Sequence, residues 1–400
     1  MNSLIKYLFI LFIKLSLISC ASTIPFSTDS SLDTPIYKPP NIDYKYNKIP
    51  NKLNLIFLRN EQKENLNEVI EGFIDNYFSK TLLHQPQVEV LMIDPENINK
   101  VTCKNLVRNY EYSIIIDKNN INTINKKECL KQIHKPKSLL ISLYTKDKDS
   151  RGSSRQILFD SEDDMSELLL HARNSQSKNA ILFENQKFEN DNSLANLWTK
   201  LGGKIKETII LKESRSYEDL IAKSLLLSES MKRKQSLSYL TGLKLGFTPR
   251  KREDIDSIIL HTDIEKGKAI NPAIAYNYAE DLNIYFLNTK KLNYKFNINK
   301  KDFEKITLID FPINLMESST FSSRGPMYAV GYDAYELYLL LNNPSTKNKY
   351  TYSGLSGQFL INRKEIIKRK GIIAKIENGD FKRFVATRKN LSFPAQLQKY

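Results

Sequence analysis

The chain has 400 residues and a formal net charge of +15, with 41% hydrophobic and 10% aromatic residues. That composition excludes a disordered chain and is enough for one two-lobed domain or two small ones with a sizeable core. The basic excess is nowhere interleaved with aromatics as a nucleic-acid platform requires, so nucleic acid is not an expected partner; an anionic surface or an acidic partner is.

The N-terminus carries Lys6, then the apolar run Tyr7 to Ile13, then Lys14 and Leu15-Ser16-Leu17-Ile18-Ser19-Cys20. The run is too short and too broken for a spanning helix, which needs about 20 apolar residues, and fits a removable signal segment. Leu17-Ile18-Ser19-Cys20 has the form of a lipobox, so cleavage is expected before Cys20, with acyl chains, palmitate among them, on the new N-terminal cysteine. Ala21 rather than Asp follows, which favours the outer membrane over the inner one, with the protein on its periplasmic face. Residues 1–19 are then the signal peptide and 20–51 a tether, with prolines at 25, 35, 39, 40 and 50. About 30 such residues span roughly 30 Å as coil and roughly 100 Å fully extended. With Cys20 modified, Cys103 and Cys129 remain as a pair that could form a disulfide in that compartment or stay as buried thiols.

From residue 52 the pattern alternates. Strands are expected at Leu53 to Leu58, Val88 to Ile93, Tyr112 to Ile116, Ser138 to Leu143 and Gln156 to Phe159, with helices at Glu61 to Thr81 and about Asn122 to Ile133. Ser161 opens a further helix running to about Ser175. The alternation then restarts. Strands fall at Ala180 to Phe183, Ile205 to Leu211, Ile255 to Leu260, Ile284 to Leu287 and Ile306 to Phe311; helices fall at Leu194 to Leu201, Tyr217 to Arg233 and Ile264 to Tyr278. Residues 234 to 254 read as a basic loop. Met327 to Leu341 is a strong helix, and strands at Gln358 to Ile361 and Ile372 to Ile376 close the chain. Strands alternating with helices predict parallel, doubly wound sheets, and two successive patterns predict two flavodoxin-like lobes with a cleft between them. The expected division is lobe 1 over about 52–160 and 312–400 and lobe 2 over about 161–311.

No catalytic constellation is present, and the chain is not expected to be an enzyme. Ser175-Gln176-Ser177-Lys178 has Ser-x-x-Lys spacing without its companion motifs, Gly354-Leu355-Ser356-Gly357 lacks nucleophile-elbow spacing, and the four His residues are scattered. No metal or cofactor is implied. Crevices in such sheets lie at the carboxyl ends of parallel strands, which singles out Tyr144, Thr145, Glu184, Asn185, Thr262, Asp263 and Asp310 as candidate cleft residues. The loop Thr145 to Asp149 is bulky and charged, unlike the small loops that amino-acid receptors present. The most concentrated positive segment holds Lys232, Arg233, Lys234, Arg250, Lys251 and Arg252, the candidate surface for an acidic or polymeric partner.

Several motifs carry a family resemblance. Arg252-Glu253-Asp254-Ile255-Asp256-Ser257-Ile258-Ile259-Leu260 leads through Ile270-Asn271-Pro272 to Tyr278-Ala279-Glu280-Asp281-Leu282-Asn283-Ile284-Tyr285. Asp310-Phe311-Pro312, Tyr328 to Tyr335 and Gly354 to Gly357 follow, and Trp198 to Gly203 precedes. In this order they resemble the C-terminal domain of LppC-type lipoproteins, the penicillin-binding protein activator family. The resemblance implies the two-lobed fold of type I periplasmic binding proteins over residues 52–400. It also implies an outer-membrane lipoprotein that binds a class A peptidoglycan synthase and stimulates its transpeptidation, with peptidoglycan as a further possible contact. The larger members carry a long helical-repeat domain between the anchor and this domain; here the tether stands in that place. The other function such a fold supports is capture of a small periplasmic solute.

Overall fold

The computed structural model describes residues 52–58, 64–80, 86–93, 104, 112–117, 139–143, 156–159, 161–188, 191–212, 216–290, 292, 300–316, 321, 323–342, 349–362 and 368–383. Cys20, Cys103, Cys129, Tyr144, Thr145 and the helix expected over 122–133 lie outside these residues.

The first sheet is built from β1 (Lys52–Leu58), β2 (Gln87–Ile93), β3 (Ser113–Asp117), β4 (Leu139–Ser142) and β5 (Gln156–Leu158), all parallel in the order β2-β1-β3-β4-β5. That order is the flavodoxin-like one. β1 is buried at every position from Leu53 to Leu58, as a strand covered on both faces must be.

The second sheet repeats the scheme. β6 (Asn179–Asn185), β7 (Lys204–Leu211), β8 (Ser257–Thr262), β9 (Asn283–Asn288) and β10 (Ile306–Asp310) run parallel in the order β7-β6-β8-β9-β10. Helices α1 (Glu64–Ser79), α2 (Ser161–Asn174), α3 (Ser193–Lys200), α4 (Tyr217–Ser224), α5 (Leu227–Thr241), α6 (Ile264–Tyr276) and α7 (Pro326–Asn342) complete the layers. A small antiparallel sheet, β11 (Lys349–Ser353), β12 (Gln358–Asn362) and β13 (Lys368–Lys370), adds Tyr352, Leu355, Phe359 and Ile361 to the first core.

Two expectations are corrected. Residues 372–383 do not join the first lobe. β14 (Ile372–Glu377) pairs antiparallel with β10, and β15 (Asp380–Arg383) pairs with β14 through a hairpin at Asn378-Gly379, both at positive φ. The Glu304 carboxylate holds that turn by accepting from both turn amides (2.7 and 3.1 Å). The helix expected over 217–233 is broken: α4 ends at Ser224, Leu226 is left-handed (φ +60°), and α5 restarts and runs to Thr241. Part of the expected basic loop is therefore helix. Lys, Arg, Gln, Leu and Met are good helix formers, and Gly242 (φ +64°) closes the helix in the left-handed geometry glycine favours.

α1 and α7 cross in backbone contact. A Cβ on Gly331 would lie 1.9 Å from the Val69 carbonyl oxygen, and one on Gly72 would lie 2.0 Å from that of Tyr328. Asn76 Nδ2 donates to the Tyr332 carbonyl across the crossing (2.5 Å). The Tyr and Leu spacing in α7 is core packing: Tyr335, Tyr338 and Leu339 are buried.

Candidate functional site

The order of the second sheet reverses between β6 and β8, so their carboxyl ends border its crevice. Glu184 and Asn185 end β6; His261 and Thr262 end β8. The parallel register sets Glu184 beside His261, and His261 Nδ1 lies 3.1 Å from Glu184 Oε1 with both side chains buried. The Phe188 ring stacks on His261 at 4.3 Å.

Asp263 caps α6, accepting from the Lys266 amide (3.1 Å). Its other oxygen accepts from Asn185 Nδ2 (3.4 Å) and faces Lys290 Nζ at 3.7 Å. Lys266 Nζ donates to Asn185 Oδ1 (2.7 Å). Burial works to raise the Asp263 carboxyl. The Lys266 amide, Asn185 and the two ammonium groups outweigh it, and the group sits below its ordinary value. Of the candidates, Asn185 and Asp263 meet in one polar set with Lys266 and Lys290, Glu184 pairs separately with His261, and the Thr262 hydroxyl joins neither. Asp310 is engaged in its own turn, accepting from the Phe311 amide (2.7 Å) and Asn314 Nδ2 (3.2 Å).

Sequence reasoning missed His261, Phe188, Lys266 and Lys290. The only signal was a His directly after the apolar run Ser257 to Leu260 and a Lys one turn past a helix cap. The Ser175 to Lys178 segment is a turn after α2, where Ser177 Oγ meets Tyr285 OH at 3.0 Å.

A second polar cluster lies where the chain passes between the sheets. Phe159 follows β5 and Phe311 follows β10; their rings stack at 6.0 Å, and the Arg369 guanidinium lies over both, at 5.1 and 4.3 Å. Arg369 donates to Asp164 in α2 (3.0 Å) and to the Ser356 carbonyl (2.7 Å). Asp333 of α7 accepts from Tyr352 OH (2.9 Å), the Leu355 and Ser356 amides (3.1 and 2.6 Å) and Ser356 Oγ (2.5 Å). A Cβ on Gly354 would lie 2.4 Å from both Asp333 carboxylate oxygens, so the Gly-Leu-Ser-Gly turn is a cradle for this carboxylate. Burial pushes the Asp333 carboxyl up to about 6 despite the four donors.

The basic segment divides in two. Arg252 pairs with Asp254 (2.7 Å) and Glu207 (3.0 Å), and Lys251 pairs with Asp281. Lys232 and Arg233 lie exposed on α5, and Lys234 sits 5.5 Å over the Phe247 ring. A hollow of about 720 Å³ lies beside Arg250 to Arg252. It also touches Asp256 and Asn283, near the amino ends of β8 and β9, so it is at the opposite end of that sheet from the crevice.

Two parallel sheets of identical strand order, joined through one buried ionic junction, define a two-lobed protein of the type I periplasmic-binding kind. The chain belongs to the LppC family, whose model, "LppC putative lipoprotein", matches residues 118–379. No curated protein matches it by sequence. Among solved structures it is similar to the C-domain of LpoA (YraM) from Haemophilus influenzae, titled a regulator of PBP1A. That likeness has a TM-score of 0.55 and 13% identity, over 84% of this chain and 100% of that one. Full-length LpoA from the same organism aligns with TM-score 0.52 and 13% identity; 85% of this chain is covered but only 59% of LpoA. A "putative branched-chain amino acid ABC transporter" protein from Rhodospirillum rubrum aligns equally well, with TM-score 0.56 and 11% identity, over 84% of this chain and 100% of that one.

Proposed function

We propose that this protein is a lipid-anchored, non-enzymatic regulator that binds a class A penicillin-binding protein and stimulates peptidoglycan synthesis. The observation that carries the reading is membership of the LppC family over residues 118–379. Full coverage of a domain titled a regulator of PBP1A is consistent with it. The crevice adds support, because Asn185, Asp263, Lys266 and Lys290 are engaged with one another there. Cys20 would carry the anchor to the outer membrane, and residues 20–51 would set how far the domain reaches toward a synthase.

The test is reconstitution. The processed, lipidated protein is added to a purified class A synthase from the same envelope, and cross-linked product is measured. Stimulation with co-purification is expected; absence of both overturns the reading.

A second reading, a small-solute receptor, has one specific observation in its favour: the buried Thr262 hydroxyl at the crevice has no hydrogen-bond partner among the described residues. A receptor would show a thermal shift with a small periplasmic metabolite, because a ligand that binds only the folded state stabilises it. The regulator is expected to show none.

A further inference from the structure

Among the described residues, α5 and the segment after it form an arm that is fastened at its root. There Leu227 and Ser230 are buried, the Arg250 amide donates to Ser230 Oγ (3.3 Å), and the Arg252 amide donates to the Leu225 carbonyl (3.0 Å). Beyond the root the helix turns back at Gly242, and its large apolar side chains face solvent. Tyr239 is 89% exposed, Leu240 78% and Leu243 63%, with Leu237 and Phe247 also exposed. A helix of this length is marginal by itself in water, and exposed apolar groups gathered at one place mark a surface that meets something else.

Charge and position narrow the occupant. From Met231 to Arg250 the arm holds Lys232, Arg233, Lys234, Lys244 and Arg250 and no acidic residue, so the occupant is anionic. Four of these cations, Lys232, Arg233, Lys234 and Arg250, sit near the root, and Leu237, Tyr239, Leu240 and Leu243 lie farther out. Arg233 to Leu240 spans about 10 Å along the helix, close to the depth at which interfacial helices bury apolar groups below the head groups. Leu237 and Leu240 share one face of the helix as an i, i+3 pair, and Tyr239 lies about 100° round from Leu240, so the exposed apolar arc is broader than a single stripe. A protein groove reads one narrow stripe at i, i+3, i+4 and i+7; a broader apolar arc beyond a basic root suits a fluid medium. Lys244 can extend its stem and keep its ammonium at the surface.

We propose that this arm is a membrane-dipping element: its tip enters a bilayer of anionic glycerophospholipid while Lys232, Arg233 and Lys234 meet the head groups. The inference goes beyond the regulatory reading and does not depend on any synthase; it uses only the lipoprotein family.

The test exploits Trp198, the one tryptophan of the chain, which is fully buried. Leu240→Trp is made in the full chain, and the wild-type emission is subtracted. The variant is mixed with vesicles of phosphatidylglycerol and phosphatidylethanolamine, with neutral phosphatidylcholine vesicles, and with vesicles carrying acyl-brominated lipid. The reporter is local, so attachment of the chain through its N-terminus does not move it. A blue shift and bromine quenching are expected on phosphatidylglycerol vesicles and not on neutral ones. Each basic group near an anionic surface contributes about fivefold in affinity. Adding Lys232→Glu, Arg233→Glu and Lys234→Glu should therefore raise the lipid needed for the half-maximal shift by roughly 100-fold or more. Emission that stays water-like and unquenched on anionic vesicles overturns the proposal, as does an equal response on neutral vesicles. A shift that appears only when an acidic protein is added assigns the arm to a protein partner and also overturns it. Cross-linking activity is not read in this experiment, so its failure and that of the regulatory reading are separable.

Discussion

Arg369 and Asp164 form an ion pair at 3.0 Å with both side chains only 2% exposed, at the place where the chain passes between the two sheets. The pair ties β13 of the small sheet to α2, which opens the second pattern. The Gly371 amide adds a second bond to Asp164 (2.8 Å), just before β14 enters the second sheet. Removing one partner leaves a buried charge unpaired. Arg369→Met is expected to cost about 3–5 kcal/mol, read as the unfolding free energy in urea. Adding Asp164→Asn to Arg369→Met should restore part of that loss. If the two substitutions are simply additive, the pair is not coupled as described.

The helix crossing at Gly331 gives a contrast between two glycines. Gly331→Ala places a methyl against the Val69 carbonyl and should cost about 1–3 kcal/mol through forced separation of α1 and α7, despite the better helix propensity of Ala. Gly246→Ala meets nothing within 4 Å, and its effect should be small. Thermal unfolding of the two variants side by side checks this.

Asp333 makes stability depend on pH. Its folded value, about 6, is above the ordinary 3.8. Between these values the folded state holds a proton that the unfolded state has lost. Its contribution is therefore fully present below about pH 4 and is lost as pH rises through about 6. Asp333→Asn removes the term. The stability difference, wild type minus variant, should fall by about 3 kcal/mol from pH 4 to pH 7, at about 1.4 kcal/mol per unit. A flat difference curve would show that the carboxyl is not raised.

Glu184→Gln separates the two functional readings. It removes the carboxylate that faces His261 at 3.1 Å and should cost about 1–3 kcal/mol for the disturbed buried pair. Stimulation of a synthase should be unaffected at a temperature where the variant is folded. In a solute receptor, ligand affinity would fall with it.

Cys20→Ser should move the protein from the membrane fraction to the soluble periplasmic fraction and abolish labelling with palmitate. Continued labelling with palmitate would remove the lipobox assignment.

The sequence by itself determined most of the elements and the fold class. Runs such as Leu53 to Leu58 and Ser257 to Leu260 are apolar at nearly every residue, and only a strand buried on both faces accounts for that. The same logic singled out Glu184, Asn185, Thr262 and Asp263 as candidates, because crevice residues follow strand ends. The arm was half visible: its charge was plain in Lys232 to Lys234, but the basic and Gly-containing stretch beyond residue 234 read as loop, although Gln235 to Thr241 continue α5 up to Gly242. What only the tertiary structure decided depends on register and return paths. His261 meets Glu184 because two parallel strands pair at that residue, 77 positions apart. Asp164 meets Arg369 because the chain comes back after 205 residues. β14 and β15 belong to the second sheet because β10 offered an edge that antiparallel pairing could cover. Local pattern records which face of an element is apolar; it carries no record of which distant element will cover that face.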